Sequence, residues 1–425
     1  MSGQTLRRRA RRSLVLIPSA YIAGAVALGF AAPALDRAIA VHGDPDAAAS
    51  TARDILTSIA TGMIAFTGLV IASVLVVVQF AASQYSPRLV LWFRGDPVVK
   101  HAIGSFIAAW IYSLVALREL ERGMLDVRPD VSVRVGLVLL VGAAVLFLVL
   151  LQRVLDRLRP RSLYAAVARE GVLAARALYP QTLARDDEAG GAASWRSPAP
   201  VVLTARRTGI VTAFDRERLV ALATDAGVVV ELRRAAGEFV GRGQALVHVH
   251  GDRAVDADAV VGAVTLGDER TIEQDPLFAL RIVVDTAIRA LSPAINDPYT
   301  ATNGLDSIEV MVRELACRDL EAAVARSPDG TVRLAWRAPG WADALDVAFD
   351  EIRAYGASSV QICRRLRAVL EDLRAETPAL RHRAIDEHLA RLDATVLATH
   401  PEGSPERALA LRADRMGLGL ARGPA

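Results

Sequence analysis

Three groups of residues in this chain have types and spacings that could do chemistry. The first is a polar corner, Leu291-Ser292-Pro293-Ala294-Ile295-Asn296-Asp297-Pro298, with Thr300 and Asn303 following within two helical turns. Hydroxyl, amide and carboxylate groups gathered there could hold a ligand or an ion. The same residues also suit a rigid helix–turn–helix corner. The two prolines forbid a continuous helix, Asp297 can cap the next one, and Pro298 fits its first position. The second group is His248 and His250, two apart and therefore on one face of a strand. Two imidazoles with no CxxC and no acidic third ligand nearby in the sequence are weak evidence for an ion, so no metal and no cofactor are assigned. The third group is a polar collar, Ser83, Gln84, Tyr85, Ser86, Pro87 and Arg88, closing a long apolar helix. Gly62, Ala65, Ala72 and Gln79, with Ser58, Leu69 and Val76, form a stripe along one side of that helix. Small residues at this spacing suit close helix packing among the spans or the lining of a pore in an oligomer.

Other chemistry is excluded. Lys100 is the only lysine, so no Schiff base, lipoyl or biotinyl attachment or P-loop lysine exists elsewhere. The chain has no G-x-S-x-G, HExxH, Walker A or GxGxxG motif, and His382 and His388, six apart, do not share a helix face. An enzyme is not expected. The two cysteines, Cys317 and Cys363, are not spaced as a metal pair or a redox motif. A net charge of +3 gives no indication of nucleic acid as a partner.

The elements that must position these residues divide the chain in two. Apolar runs predict four membrane spans, at about 14–35, 54–82, 101–117 and 131–151. The second, at ~1.5 Å per residue, is roughly 40 Å long and exceeds a hydrocarbon core of ~30 Å, so it must tilt or protrude. Arg7, Arg8, Arg9, Arg11 and Arg12 form a basic segment at residues 1–13, which reads as the cytoplasmic flank of an anchor rather than a cleaved leader. Residues 36–53 read as a loop, 83–100 as a second positive segment holding Arg88, Arg94 and Lys100, and 118–130 as mixed in sign. Arg153, Arg157, Arg159 and Arg161 follow the fourth span. By the positive-inside rule this predicts a multi-pass membrane protein with both termini cytoplasmic. The spans show no buried carboxylate or arginine, which argues against a proton-coupled transporter more than against a channel with an apolar gate.

The remainder predicts soluble structure: a basic helix and linker at 160–200, a small β-module at 201–265, a helical part at 270–400 and a tail at 401–425. Gly237-Glu238-Phe239-Val240-Gly241-Arg242-Gly243-Gln244-Ala245-Leu246 resembles the hairpin of biotinyl/lipoyl-like domains, but without a lysine no swinging arm is available. Asp275-Pro276 and Asp297-Pro298 each open a helix, and Asp329-Gly330 marks a hairpin. The predicted fold class is membrane α-helical: a four-span transmembrane bundle followed by a cytoplasmic α+β region with a small lipoyl/biotinyl-like β-module and a helical C-terminal part.

Two motifs carry a resemblance: Phe80-Ala81-Ala82-Ser83-Gln84-Tyr85-Ser86-Pro87-Arg88, and Asp275-Pro276-Leu277-Phe278-Ala279-Leu280-Arg281 continuing to Ala290-Leu291-Ser292-Pro293-Ala294-Ile295-Asn296-Asp297-Pro298-Tyr299-Thr300-Ala301. Together they are similar to the bacterial predicted membrane protein family, domain of unknown function 2254, over about residues 10–400. The resemblance implies the topology and the unity of the chain, and lends no substrate and no catalytic residue. The functional expectation is an oligomeric channel or transport-type protein with a cytoplasmic regulatory domain. The alternative is a non-enzymatic membrane-anchored sensor or scaffold whose cytoplasmic domain binds a ligand or partner. Expected partners are the lipid bilayer, further copies of the chain, and an ion or small solute.

Overall fold

The computed structural model describes residues 15–39, 45–84, 97–123, 128–157, 160–183, 199–320 and 323–417. The chain forms two compact units, residues 1–159 and 160–425.

In the first unit the apolar runs become four helices: α1 (Leu16–Ile39), α2 (Pro45–Gln84), α3 (Pro97–Gly123) and α4 (Asp130–Arg157). All four are long and apolar enough to cross a membrane. The third is the hub: α3 packs against each of the others, and half of its most apolar window is buried, against about a fifth for its neighbours. One apolar cluster joins Ile59, Met63 and Val70 of α2 to Phe106 and Ala109 of α3 and Leu150 of α4. Within it Phe66 meets Phe106 and Phe147 edge-to-face at 5.4 and 4.8 Å. A second cluster joins Ala25 and Ala32 of α1 to Leu56 of α2 and Tyr112, Ala116 and Leu120 of α3.

Helices α1 and α3 run the same way. Near their starts the Tyr21 hydroxyl lies 3.1 Å from His101 Nδ1, and near their ends Arg37 pairs with Glu119 at 3.5 Å. Their close approach depends on glycine. A Cβ at Gly29 would stand 2.7 Å from that of Val115, and one at Gly104 would stand 2.7 Å from the Tyr21 ring.

The helices exceed the predicted spans at several ends. The expected loop at 36–53 is overrun from both sides, because α1 continues to Ile39 and α2 begins at Pro45. At 40 residues α2 is about 60 Å long, far more than a bilayer core requires. Lys100, the last residue of the second positive segment, lies in the first turns of α3 and is only 2% exposed. The expectation that no span buries a carboxylate is overturned by Asp36. It lies in α1, is 2% exposed, and accepts hydrogen bonds from Val131 N (2.7 Å), Ser132 N (3.0 Å) and Ser132 Oγ (2.6 Å) at the start of α4. It supplies from a neighbouring helix the acceptors that exposed N–H groups at a helix start require.

The second unit opens with α5 (Pro160–Leu178) and continues through β1 (Val201–Thr204), β2 (Gly209–Phe214), α6 (Arg216–Ala226), β3 (Val229–Leu232), β4 (Phe239–Val240), β5 (Ala245–His250), α7 (Ala257–Gly262) and β6 (Val264–Gly267). Two long helices follow, α8 (Pro276–Ala290) and α9 (Pro298–Ala316), then the hairpin β7 (Val324–Arg326) and β8 (Val332–Trp336), which turns at Gly330 with φ 84°. Asp215, Asp275 and Asp297 each accept from a backbone N–H three residues on and so cap α6, α8 and α9.

The strands form a five-stranded sheet, β1-β5-β3-β8-β7, and a three-stranded one, β4-β2-β6. The pairing of β3 with β8 is parallel, Val230 opposite Leu334 and Leu232 opposite Trp336. The strand-bearing structure therefore extends past 201–265 to include the later hairpin. Helices α5, α8 and α9 pack on one another. Arg176 of α5 grips Glu314 of α9 through two hydrogen bonds, at 3.1 and 2.9 Å.

The C-terminal part begins with α10 (Trp341–Leu345), which runs through a π-helical turn (Asp346–Asp350) into α11 (Glu351–Tyr355). The expected break at Gly356 is present: a Cβ there would collide with Ile362. Then come α12 (Val360–Glu376), α13 (Ala379–Thr399) and α14 (Pro405–Ala410).

Candidate functional site

The stripe on α2 turns away from its own bundle. Ser58, Gly62, Ala65, Leu69, Ala72, Val76 and Gln79 are all exposed, while Leu56, Ile59, Met63 and Val70 on the other side are buried. A Cβ added at Gly62 or Gly68 would meet nothing within 4 Å. Close packing among the four helices therefore does not account for the stripe; glycines that do serve that purpose include Gly29, Gly104 and Gly136. Ser83 and Gln84 fall in the last turn of α2. Their side chains, and all of Tyr85, Ser86, Pro87 and Arg88, lie outside the described residues.

At the corner, backbone hydrogen bonds close locally. The Ser292 carbonyl accepts from Ile295 N (3.0 Å) and Asn296 N (2.8 Å), and Asp297 N donates to the Ala290 carbonyl at 2.8 Å. Asn296 takes φ 47°, the one positive φ outside glycine among the described residues. The Asp297 carboxylate accepts from Thr300 N at 3.0 Å, with Pro298 opening α9. The corner is thus held as a turn. Pro293 is exposed, Ser292, Thr300 and Asn303 are half-buried, and the most exposed large side chain is Tyr299, 59% accessible.

A convergence that the sequence reading did not assemble lies on the five-stranded sheet. Antiparallel pairing of β3 with β5 sets Glu231 opposite His248 and Val229 opposite His250. Side chains alternate between faces, so Glu231, His248 and His250 share one face while Val230, Leu232, Val247 and Val249 fill the other. Glu231 Oε2 lies 3.0 Å from His250 Nε2 and 3.8 Å from His248 Nδ1. Its Oε1 accepts from Arg233 at 3.3 Å. Glu231 and His250 are buried and His248 is half-buried. Burial pushes the His248 imidazole below its ordinary value, and the Arg233 guanidinium adds to the shift. The available signal in the sequence was a carboxylate, Glu231, inside the apolar run Val228-Val229-Val230-Glu231-Leu232.

A second cluster is organised differently. The π turn places Asp346 and Asp350 against His388 of α13, with Nε2 3.2 Å from Asp346 and Nδ1 3.9 Å from Asp350. Arg391 contacts both carboxylates, at 2.9 and 3.4 Å, and Arg353 contacts Asp350 at 3.3 Å. Two carboxylates facing two guanidiniums make a charge-balanced network joining the helices.

Residues 11–372 match the family model "Predicted membrane protein (DUF2254)", and the chain belongs to that family. Uncharacterised proteins of Mycobacterium bovis and Mycobacterium tuberculosis are each 29% identical to it over 340 residues, covering 75% of this chain and 63% of the relative. The chain thus spans less than two thirds of the length of the curated relatives it matches. No solved structure matches.

Proposed function

We propose that this member of the family is a non-enzymatic, homo-oligomeric channel of the bacterial inner membrane. In this reading the outward face of α2 lies between subunits and borders the pathway they enclose, and residues 160–425 form a cytoplasmic regulatory part. The observation that carries the reading is the exposure of the whole stripe from Ser58 to Gln79. A helix face of small residues gains little against lipid tails, but it lets a second helix approach closely. Thr57, Ser58, Thr61 and Gln79 on the same exposed side favour protein or water over hydrocarbon. The one buried carboxylate among the described span residues, Asp36, is engaged in capping α4, which supports a channel over a proton relay. The alternating basic segments support cytoplasmic termini.

The alternative, a membrane-anchored sensor or scaffold, draws support from the Glu231–His248–His250 convergence. One experiment separates the two. In a background with Cys317 and Cys363 replaced by serine, Ala65→Cys and Ala72→Cys are oxidised in native membranes, with the buried Met63→Cys as control. Disulfide-linked oligomers at the first two positions only, and single-channel currents from the purified protein that Gly62→Phe abolishes, are expected. Monomeric protein with no cross-link and no conductance refutes the channel and leaves the sensor.

A further inference from the structure

We infer that Glu231, His248 and His250 form a binding site for a divalent first-row transition-metal ion, zinc being the ion their donor set suits best. The inference does not depend on the channel reading, and it rests first on donor chemistry. Two imidazoles and one carboxylate are a set that zinc takes at sites keeping a fourth position open. Geometry comes next. The three ligand atoms lie within 4.8 Å of one another. Ligands at ~2.0–2.1 Å from a tetrahedral ion stand about 3.3 Å apart. The separations of Glu231 Oε2 from the two imidazole nitrogens, 3.0 and 3.8 Å, bracket that value. Small side-chain rotations would suffice to centre an ion. Binding through Nε2 of His250 uses the tautomer that carries its proton on Nδ1.

The surroundings agree. Both strands that supply ligands are interior to the sheet, β5 between β1 and β3, and β3 between β5 and β8. The ligands therefore sit on paired interior strands rather than on loops. Arg233 engages Oε1 of Glu231, which fixes the carboxylate and directs Oε2 toward the imidazoles, as outer-shell partners of metal ligands do. His248 is the ligand on the open side, its side chain 21% accessible, next to the exposed Val202 of β1. That side provides entry for the ion and room for a water or small ligand as the fourth partner.

The Asp346–Asp350–His388 cluster does not fit the same ion. Its carboxylates approach opposite nitrogens of one imidazole, which cannot both bind one metal, and Arg391 already spans the two acids. It serves as an internal control.

The test uses the full chain in detergent, stripped with a chelator, incubated with zinc chloride, desalted and assayed for metal by mass spectrometry. Cobalt(II) is used in parallel for its visible ligand-field bands. The expected result is one zinc per chain, a tetrahedral cobalt spectrum, and a rise in Tm with zinc. His248→Ala and Glu231→Gln are expected to lower zinc affinity at least about tenfold and to lose the cobalt bands, whereas His388→Ala keeps both. Glu231 is buried, so the half-buried His248 carries the test should Glu231→Gln fail to fold. Wild-type protein that emerges from desalting without zinc, or a folded His248→Ala variant that retains full stoichiometry and spectrum, overturns the site.

Discussion

The Asp36 carboxylate at the end of α1 receives both the backbone N–H and the hydroxyl of Ser132, at 3.0 and 2.6 Å, and Tyr112 of α3 donates to the carbonyl of the same serine at 2.7 Å. Three helices meet on Ser132. In an apolar bundle no water is at hand to satisfy the first N–H groups of α4, so the acceptor must come from protein.

Replacing Asp36 by alanine strands the N–H groups of Val131 and Ser132. The expected cost is roughly 2–4 kcal/mol of unfolding free energy, with Asp36→Asn losing less because one acceptor oxygen remains. Reversible unfolding in mixed micelles measures it. Equal stability of Asp36→Ala and wild type would show that the cap is dispensable.

The glycines separate packing inside the first unit from its outward surface. Gly104→Leu must displace Tyr21, and Gly29→Leu must displace Val115. Each should cost about 1–3 kcal/mol by overpacking. A Cβ added at Gly62 meets nothing within 4 Å in its own chain, so Gly62→Leu should find room there. It should leave the thermal unfolding of the detergent-solubilised monomer unchanged while weakening cross-linking between α2 helices.

The corner between α8 and α9 makes a conformational prediction. Asn296 occupies φ 47°, so Asn296→Gly should be neutral within a few tenths of a kcal/mol, whereas Asn296→Val should cost about 1–2 kcal/mol. Asp297→Ala removes the cap on Thr300 N and should cost about 1 kcal/mol. Denaturant midpoints of the three variants check the ranking. A stabilised Asn296→Val protein would contradict the backbone assignment.

Hydrogen bonds from Arg176, with Arg318 adding to them, hold the Glu314 carboxyl below its ordinary range. A folded value lower than the unfolded one means that this pair stabilises the fold above the ordinary glutamate range. The contribution vanishes as pH falls through the lowered folded value. Arg176 is more than half exposed, so solvent screening keeps the gain at neutral pH small. Glu314→Gln should therefore lower stability slightly at pH 7, and the difference should shrink as pH falls through the lowered folded value. A difference that persists undiminished into acid would assign the effect to packing.

Several features were legible because they depend on local chemistry. Four apolar runs gave four helices, and Asp275-Pro276 and Asp297-Pro298 gave two helix starts. The same dipeptide stands at Asp44-Pro45 and Asp96-Pro97, where α2 and α3 begin. Their starts were misplaced because hydropathy, not capping chemistry, set the limits. Arg118 to Gly123 is polar yet helical, so a search for apolar residues stops short of the end of α3. Which side of α2 faces inward was not legible: in a membrane helix both sides are apolar, and only the partners decide. Glu231 was missed as a companion of His248 because a strand pairing, not sequence proximity, joins them.

The parallel contact between β3 and β8 has a consequence for how this chain can be made and cut. Helices α8 and α9 are spliced into a single sheet, between a strand that precedes them and one that follows. A ribosome must deliver both helices before the edge of β3 is covered. A fragment ending at residue 265 would expose that edge as a template for pairing with other chains. Residues 201–265 are therefore not a transplantable part, and the smallest piece that closes this sheet reaches through Trp336.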